Sequence, residues 1–268
     1  MNLLILGDIV GQSGRKALKE NLKKIIDEKN IDFTIVNGEN SADDGRGITN
    51  LIAQEFFDTG VDVITSGNHI YDKKETINFI EKEIRLLRPN NFIEGSPGKG
   101  YGVFQSKNKR FKIGVINLMG NVFMKKTEDL FDAAKKLQDK IKLKENVDFI
   151  VIDLHGEITS EKNAIAHFFD GKATAVVGTH THIPTADTRV LEKGTAFQTD
   201  IGMCGDYNSV IGMDKKNSIL KFLKDKNAKA HFPSEGQASL SGIIVEGDNE
   251  TGLAKSVKRF LFGGELKY

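Results

Sequence analysis

The chain of 268 residues contains a single cysteine, Cys204. That excludes an internal disulfide framework and any zinc knuckle built on thiolates. No apolar run approaches the roughly 18 residues of a membrane span. The formal net charge is only +1, so the chain lacks the basic excess of a protein that holds nucleic acid mainly through its phosphates. A local basic groove is still compatible with that figure. No internal repeat, low-complexity stretch or Pro/Gly/Ser-rich linker divides the chain. The opening stretch MNLLILGDIVGQSG lacks a basic leader, and Asp8 interrupts its apolar run. A signal peptide is therefore not expected, and a cytoplasmic protein is. The expected organisation is one domain over residues 1–268.

What the sequence does contain is an ordinary globular composition, 39% hydrophobic and 28% charged. It repeats one grammar: a short apolar strand, a polar loop, then an amphipathic helix. Residues 3–6 read as the first strand. Ser13 is placed to cap a helix running to about Glu28, with Ala17, Leu18, Leu22, Ile25 and Ile26 on one face. Strands follow at 33–36 and 61–66, with helical segments at 51–57 and 73–86. Residues 101–105 and 111–118 read as strands of an antiparallel or mixed sheet. A helix is expected over 127–143, then strands at 149–154 and 173–177. Further strands are expected at 190–191, 195–198 and 240–245. Early strand–helix alternation with extra strands later predicts an α/β sandwich of two sheets.

The polar residues fall in a pattern. Asp8, Glu39, Asn40, Asn68, His69, His155, His180 and His182 all come at the carboxyl ends of expected strands. That edge is where α/β sheets build their sites. Each cluster has an ordinary reading beside a chemical one. Asp8, in GDIVG, is a turn aspartate or a terminal metal ligand. Glu39 and Asn40 belong to a polar loop, or Glu39 offers two oxygens that bridge two cations. Asn68 caps a helix beside an incidental His69. Alternatively its carbonyl oxygen binds a metal, leaving His69 free as a general acid. His155, in DLHGE, is a structural histidine or a ligand, with Asp153 as its orienting partner. Glu157 is a weaker candidate for the same task. His180 and His182 lie two apart in GTHTH. In an extended segment both would point the same way, toward neighbouring metal positions. His167 and His231 read as helix and surface residues.

In order, the segments GD, GEN, GNH, HGE and GTHTH resemble the calcineurin-like metallophosphoesterase superfamily. Two departures stand out: Ile9 and Val10 follow Asp8 where many members have Asp-x-His, and Glu39–Asn40 replaces the usual acidic position after glycine. Those departures are similar to the bacterial YmdB-like phosphodiesterases. LGDIVGQSGR, VNGENSADDGRGIT, SGNHIYD, NLMGN, DLHGEITSEKNA, GTHTHIPTAD and GTAFQTDIGMCG carry the resemblance over nearly the whole chain. IPTADTR differs from the expected pattern without touching a candidate ligand. The resemblance implies a four-layer α/β/β/α sandwich, metallophosphoesterase-like, with two mixed sheets flanked by helices and a dinuclear metal site. It implies Asp8, Glu39, Asn40 and His182 at one metal and Glu39, Asn68, His155 and His180 at the other, with His69 as proton donor. It also implies activity on cyclic nucleotides, including 2′,3′-cyclic forms and extending to 3′,5′-cyclic ones.

The chemistry of such a donor set is coherent. Three imidazoles, two carboxylates and two carboxamides suit Fe, Mn or Zn better than an all-oxygen Ca or Mg site. Two such ions would leave the site cationic and attractive to a phosphodiester. A metal-bridging hydroxide would serve as nucleophile, and His69 would protonate the leaving ribose oxygen. Cys204 reads as a packed or loop residue. A second class of function stays open: a metal-containing regulatory protein with incidental catalysis and an RNA or protein partner, for which KNKRFK and KDKNAKAH are basic stretches. An amidohydrolase fits worse, because here His-x-His comes late and Asn-His early. An RNA-derived substrate and self-association through exposed loop edges are both compatible with the sequence.

Overall fold

In the computed structural model, which describes residues 1–266, twelve strands and six helices are present among the described residues. The first half runs β1 (Asn2–Ile9), α1 (Gly11–Lys29), β2 (Phe33–Asn37), α2 (Asn50–Thr59), β3 (Val63–Thr65), α3 (Lys74–Phe79), β4 (Tyr101–Gln105), β5 (Lys112–Met119) and α4 (Leu130–Lys140). The second half runs β6 (Phe149–His155), α5 (Thr159–Phe168), β7 (Ala175–Thr179), β8 (Arg189–Val190), β9 (Ala196–Gln198), β10 (Met203–Asp206), α6 (Lys215–Phe222), β11 (Ala238–Gly247) and β12 (Ala254–Phe262).

The strands form two six-stranded sheets, in the orders β12-β11-β10-β1-β2-β3 and β4-β5-β6-β7-β9-β8. Both are mixed. β1 runs parallel to β2 and β10 but antiparallel to β11. β5, β6, β7 and β9 are parallel, with β4 and β8 antiparallel at the two edges.

Strand periodicity explains the layering. Successive side chains point to opposite faces. Leu4 and Leu6 therefore join Leu18, Leu22 and Ile25 of α1 in one core. Leu3 and Ile5 join Ile113, Val115, Phe149 and Val151 in a second core between the sheets. A third core packs α4 and α5 on the outer face of the second sheet, through residues such as Leu130, Leu137 and Ile165. The result is the α/β/β/α sandwich. Leu3, Leu4, Phe33 and Phe149 have no accessible surface. Full burial of each such side chain contributes about 1.5–3 kcal/mol against exposure.

Several local expectations change. α1 begins at Gly11, and Ser13 does not cap it. The Gly11 N–H is already taken by the Asn40 carbonyl at 2.9 Å, and Ser13 instead donates to the Ser234 carbonyl. The helix expected over 73–86 stops at Phe79. Beyond it, the Ile64 N–H donates to the Arg85 carbonyl and the Ile64 carbonyl accepts from the Leu87 N–H along the edge of β3, and Leu86 and Leu87 are fully buried. Burying two leucines outweighs continuing an amphipathic turn. The helix expected over 127–143 is shorter, capped by the Asp129 side chain accepting from the Asp132 N–H. Residues 203–206, expected as loop, form β10, while α6 and β12 were not expected at all.

Candidate metal centre

The site forms where the carboxyl ends of β1, β2, β3, β6 and β7 meet. Asp8 and His155 lie within β1 and β6 rather than beyond them. A register shift between Leu6 and Asp8 in the β1–β2 pairing interrupts the alternation there. Such irregularities re-aim side chains. Gly7 makes the shift possible, since a Cβ there would lie 1.8 Å from the Gly202 carbonyl oxygen. Gly67 is needed for a similar reason: its Cβ would meet the His155 ring at 2.1 Å and Glu39 Oε2 at 2.4 Å.

The donor atoms fall into two groups. His155 Nε2 lies 2.9 Å from Glu39 Oε1, 3.2 Å from Asn68 Oδ1 and 3.0 Å from His180 Nδ1. Ligand atoms of Glu39, His155 and His180 all lie within 4.8 Å of one another, close enough to hold one ion. In the second group, His182 Nε2 is 3.2 Å from Asn40 Oδ1 and 4.0 Å from Asp8 Oδ1. Asp8 Oδ1 is buried without any hydrogen-bond partner. An orphaned buried carboxylate oxygen is costly unless a cation completes it. Crowded imidazole nitrogens facing carboxylate and amide oxygens fit a borderline transition metal.

Each imidazole is held by its other nitrogen. His155 Nδ1 donates to Thr179 Oγ1 at 2.9 Å, and that hydroxyl donates to Asp153 Oδ1 at 2.8 Å. His182 Nδ1 donates to the Ile211 carbonyl at 2.8 Å. His180 Nε2 pairs with Glu157 Oε2 at 3.0 Å. That leaves the inner nitrogens, Nε2 of His155 and His182 and Nδ1 of His180, as the ones a metal would use. Asp153 accepts from Asn37, Thr65 and Thr179, so it ties the two sheets together beneath the site.

The expected reason for the His180–His182 spacing is overturned. The segment is not extended: φ is +97° at His180 and +67° at His182. Left-handed conformations of this kind in non-glycine residues are strained and cluster at functional sites. The turn delivers one ring to each donor group. It is held by Asp200, which accepts from the Thr181 N–H at 3.1 Å and from the Lys162 ammonium at 2.8 Å.

The electrostatics of the ion-free site are those of closely packed opposite charges. Burial raises Asp8 to about 6, even though His182 and His155 pull it down. Burial would also raise Glu39, but the His155 charge and hydrogen bond overcome it and hold Glu39 at about 2. Burial would lower His155, but Glu39, then Asp8 and Asp153, lift it to about 9. His180 is lowered to about 3 by burial and by the His155 charge. A proton on His155 Nε2 thus sits between donors that a cation would share.

His69 stands at the rim. Its N–H donates to Glu39 Oε2 at 3.0 Å, and its Nδ1 pairs with Asp72 Oδ2 at 2.7 Å. Lys125 reaches Asp72 and donates to the Asn68 carbonyl. The sequence reading missed Thr179, Lys162, Asp200 and Asp72. Only Asp72 left a signal, three residues after His69 in NHIYD. Cys204 is fully buried and pushed up to about 12 by burial, so it is no nucleophile.

Fold and site together define a metallophosphoesterase-like α/β protein. A family model described as YmdB-like protein matches residues 4–260. The chain belongs to the YmdB-like family. It is 42% identical over 266 residues to a Bacillus subtilis (strain 168) protein named 2′,3′-cyclic-nucleotide 2′-phosphodiesterase, covering 99% of this chain and 98% of that one. A crystal structure described as a novel phosphatase from Mycoplasma pneumoniae superposes with TM-score 0.89 at 34% identity, covering 98% of this chain and 93% of that one. A Candida albicans 5′-nucleotidase, at 15% identity and TM-score 0.56, shares the fold; the match covers 97% of this chain and 50% of that one. No helix among the described residues is long and apolar enough to cross a membrane.

Proposed function

We propose that this protein is a metal-dependent phosphodiesterase that hydrolyses 2′,3′-cyclic nucleotides. The observation that carries the reading is the convergence of Glu39, His155 and His180 donor atoms within 4.8 Å, beside the orphaned Asp8 oxygen. The Bacillus relative supports the substrate class. One ion would be held by Asp8, Glu39, Asn40 and His182. The other would be held by Glu39, Asn68, His155 and His180, with Glu39 shared. The mixed donors favour Fe or Mn, with Zn also accommodated. When bound, such ions polarise the phosphate and lower the pKa of a coordinated water to about 7.

The chain's own residues do the rest. Thr179, Glu157 and the Ile211 carbonyl fix the three imidazoles. Asp72 accepts from Nδ1–H of His69 and so orients its ring. Carrying a proton on Nε2, His69 donates it to the departing ribose oxygen, which leaves as a neutral alcohol. General-acid catalysis of this kind contributes about 10²–10⁴ in rate. The cytoplasm suits an enzyme whose lone thiol is buried and unpaired. The same chemistry extends to 3′,5′-cyclic forms.

The test is a panel of 2′,3′- and 3′,5′-cyclic nucleotides with metal-loaded wild type and His69→Ala. Wild type should turn over the 2′,3′ forms. His69→Ala should lose about 10²–10⁴ in kcat at unchanged metal content. Loss of metal together with activity would make His69 a ligand, and an inactive wild type would refute the reading.

A further inference from the structure

Phe123 is the most exposed large apolar side chain of the described residues, at 85% accessible surface, and its φ is +61°. A bulky residue in the left-handed region is an outlier that the surroundings must impose. Here they do. The loop leaves β5 with the Gly120 N–H on the His155 carbonyl at 3.0 Å. The Asn121 and Val122 N–H groups are both held by Glu161 at the start of α5. The Asn121 side chain bridges the loop internally to Thr127 Oγ1 and the Glu128 carbonyl. Two residues beyond Phe123, Lys125 donates to the Asn68 carbonyl at 2.6 Å. The strained phenylalanine therefore sits between an anchor beside His155 and an anchor on Asn68, held out into solvent at the rim of the site.

A fixed, solvent-facing aromatic ring beside a phosphate-binding centre has the chemistry of a stacking platform. Every nucleobase offers a π-face, and such stacking tolerates base identity. We propose that Phe123 stacks on the base of the nucleotide substrate and is its main base-recognition residue. This rests on the phosphodiesterase reading above. Ribose and phosphate are then held by the metal centre, and the base by a loop that needs no rearrangement to meet it.

The chain contains no tryptophan, which gives a test independent of turnover. Phe123→Trp places a single indole at the rim. Its fluorescence should be quenched on adding adenosine 2′,3′-cyclic phosphate, and unchanged on adding methyl riboside 2′,3′-cyclic phosphate, which has no base. In kinetics, Phe123→Ala should raise KM for the adenosine substrate about tenfold with kcat within about twofold. KM for the baseless substrate should not move, and Phe123→Trp should restore what Phe123→Leu does not. Equal KM changes for both substrates, or an indole blind to the nucleotide while wild type turns it over, would overturn the inference. A wild type inactive on both substrates would instead overturn the underlying reading.

Discussion

The two sheets contribute to the site in different chemical currencies. The carboxyl end of β1 and the loops after β2 and β3 bring oxygen: Asp8, Glu39, Asn40 and Asn68. The ends of β6 and β7 bring nitrogen: His155, His180 and His182. The oxygen side is positioned by backbone packing. Gly7 and Gly67 let main chain and side chains approach where no Cβ fits, and Asp8 is left with a bare oxygen. The imidazole side is positioned by hydrogen bonds, one to each distal nitrogen. A carboxylate binds a cation in many orientations, whereas a ring must be aimed. That difference explains why the second sheet carries the buried Lys162–Asp200 pair, both side chains 1% exposed, under its histidine turn.

The comparison can be broken most severely at Glu39, the residue whose two oxygens face His155 and His69. Glu39→Gln should lower phosphodiester hydrolysis by more than about 100-fold, beyond the usual effect of losing an orienting partner, and should reduce bound metal by elemental analysis. Retained activity would remove Glu39 as a shared ligand. Next in size is Lys162→Met. It leaves Asp200 charged and buried without its cation, and should cost about 3–5 kcal/mol in denaturant unfolding. The double change with Asp200→Asn should recover part of that loss. An additive double variant would show that the pair does not act as a unit.

Smaller effects sharpen the same contrast. Thr179→Val removes the hydroxyl that His155 Nδ1 and Asp153 share. Metal affinity at the His155 group should fall about 10–100-fold, read by competition with a chelating dye, while the Asp8 group keeps its ion. Equal loss at both would mean that the two groups are not separable. Glu157 is half exposed, so water can replace it beside His180. Glu157→Gln should change affinity by less than about tenfold, since solvent screens such pairs.

How much of this was legible differs between the halves of the argument. A sandwich of two sheets followed from early strand–helix alternation with extra strands later, and the four layers from the family resemblance; that Leu3 and Ile5 face one core and Leu4 and Leu6 another is shown by the structure. The rim residues were legible because polar groups recurred at strand ends, and the structure brings them together. What sequence could not give was conformation fixed by distant contacts. His180 and His182 look extended until Asp200 and Lys162, from elsewhere in the chain, are seen to hold their turn. Residues 80–86 look helical until Leu86 and Leu87 find the edge of β3. β10 is hidden in GMCGD because its strand character comes from pairing with Asp8 and Ile9, not from its own composition.

The central claim is a two-ion phosphodiesterase whose donors are split between the sheets. Titrating Mn into chelator-stripped protein, while following hydrolysis of adenosine 2′,3′-cyclic phosphate, tests it most directly. The account predicts negligible turnover up to one ion per chain and full activity at two. Full activity in the stripped protein, or a plateau already reached at one ion, would contradict it.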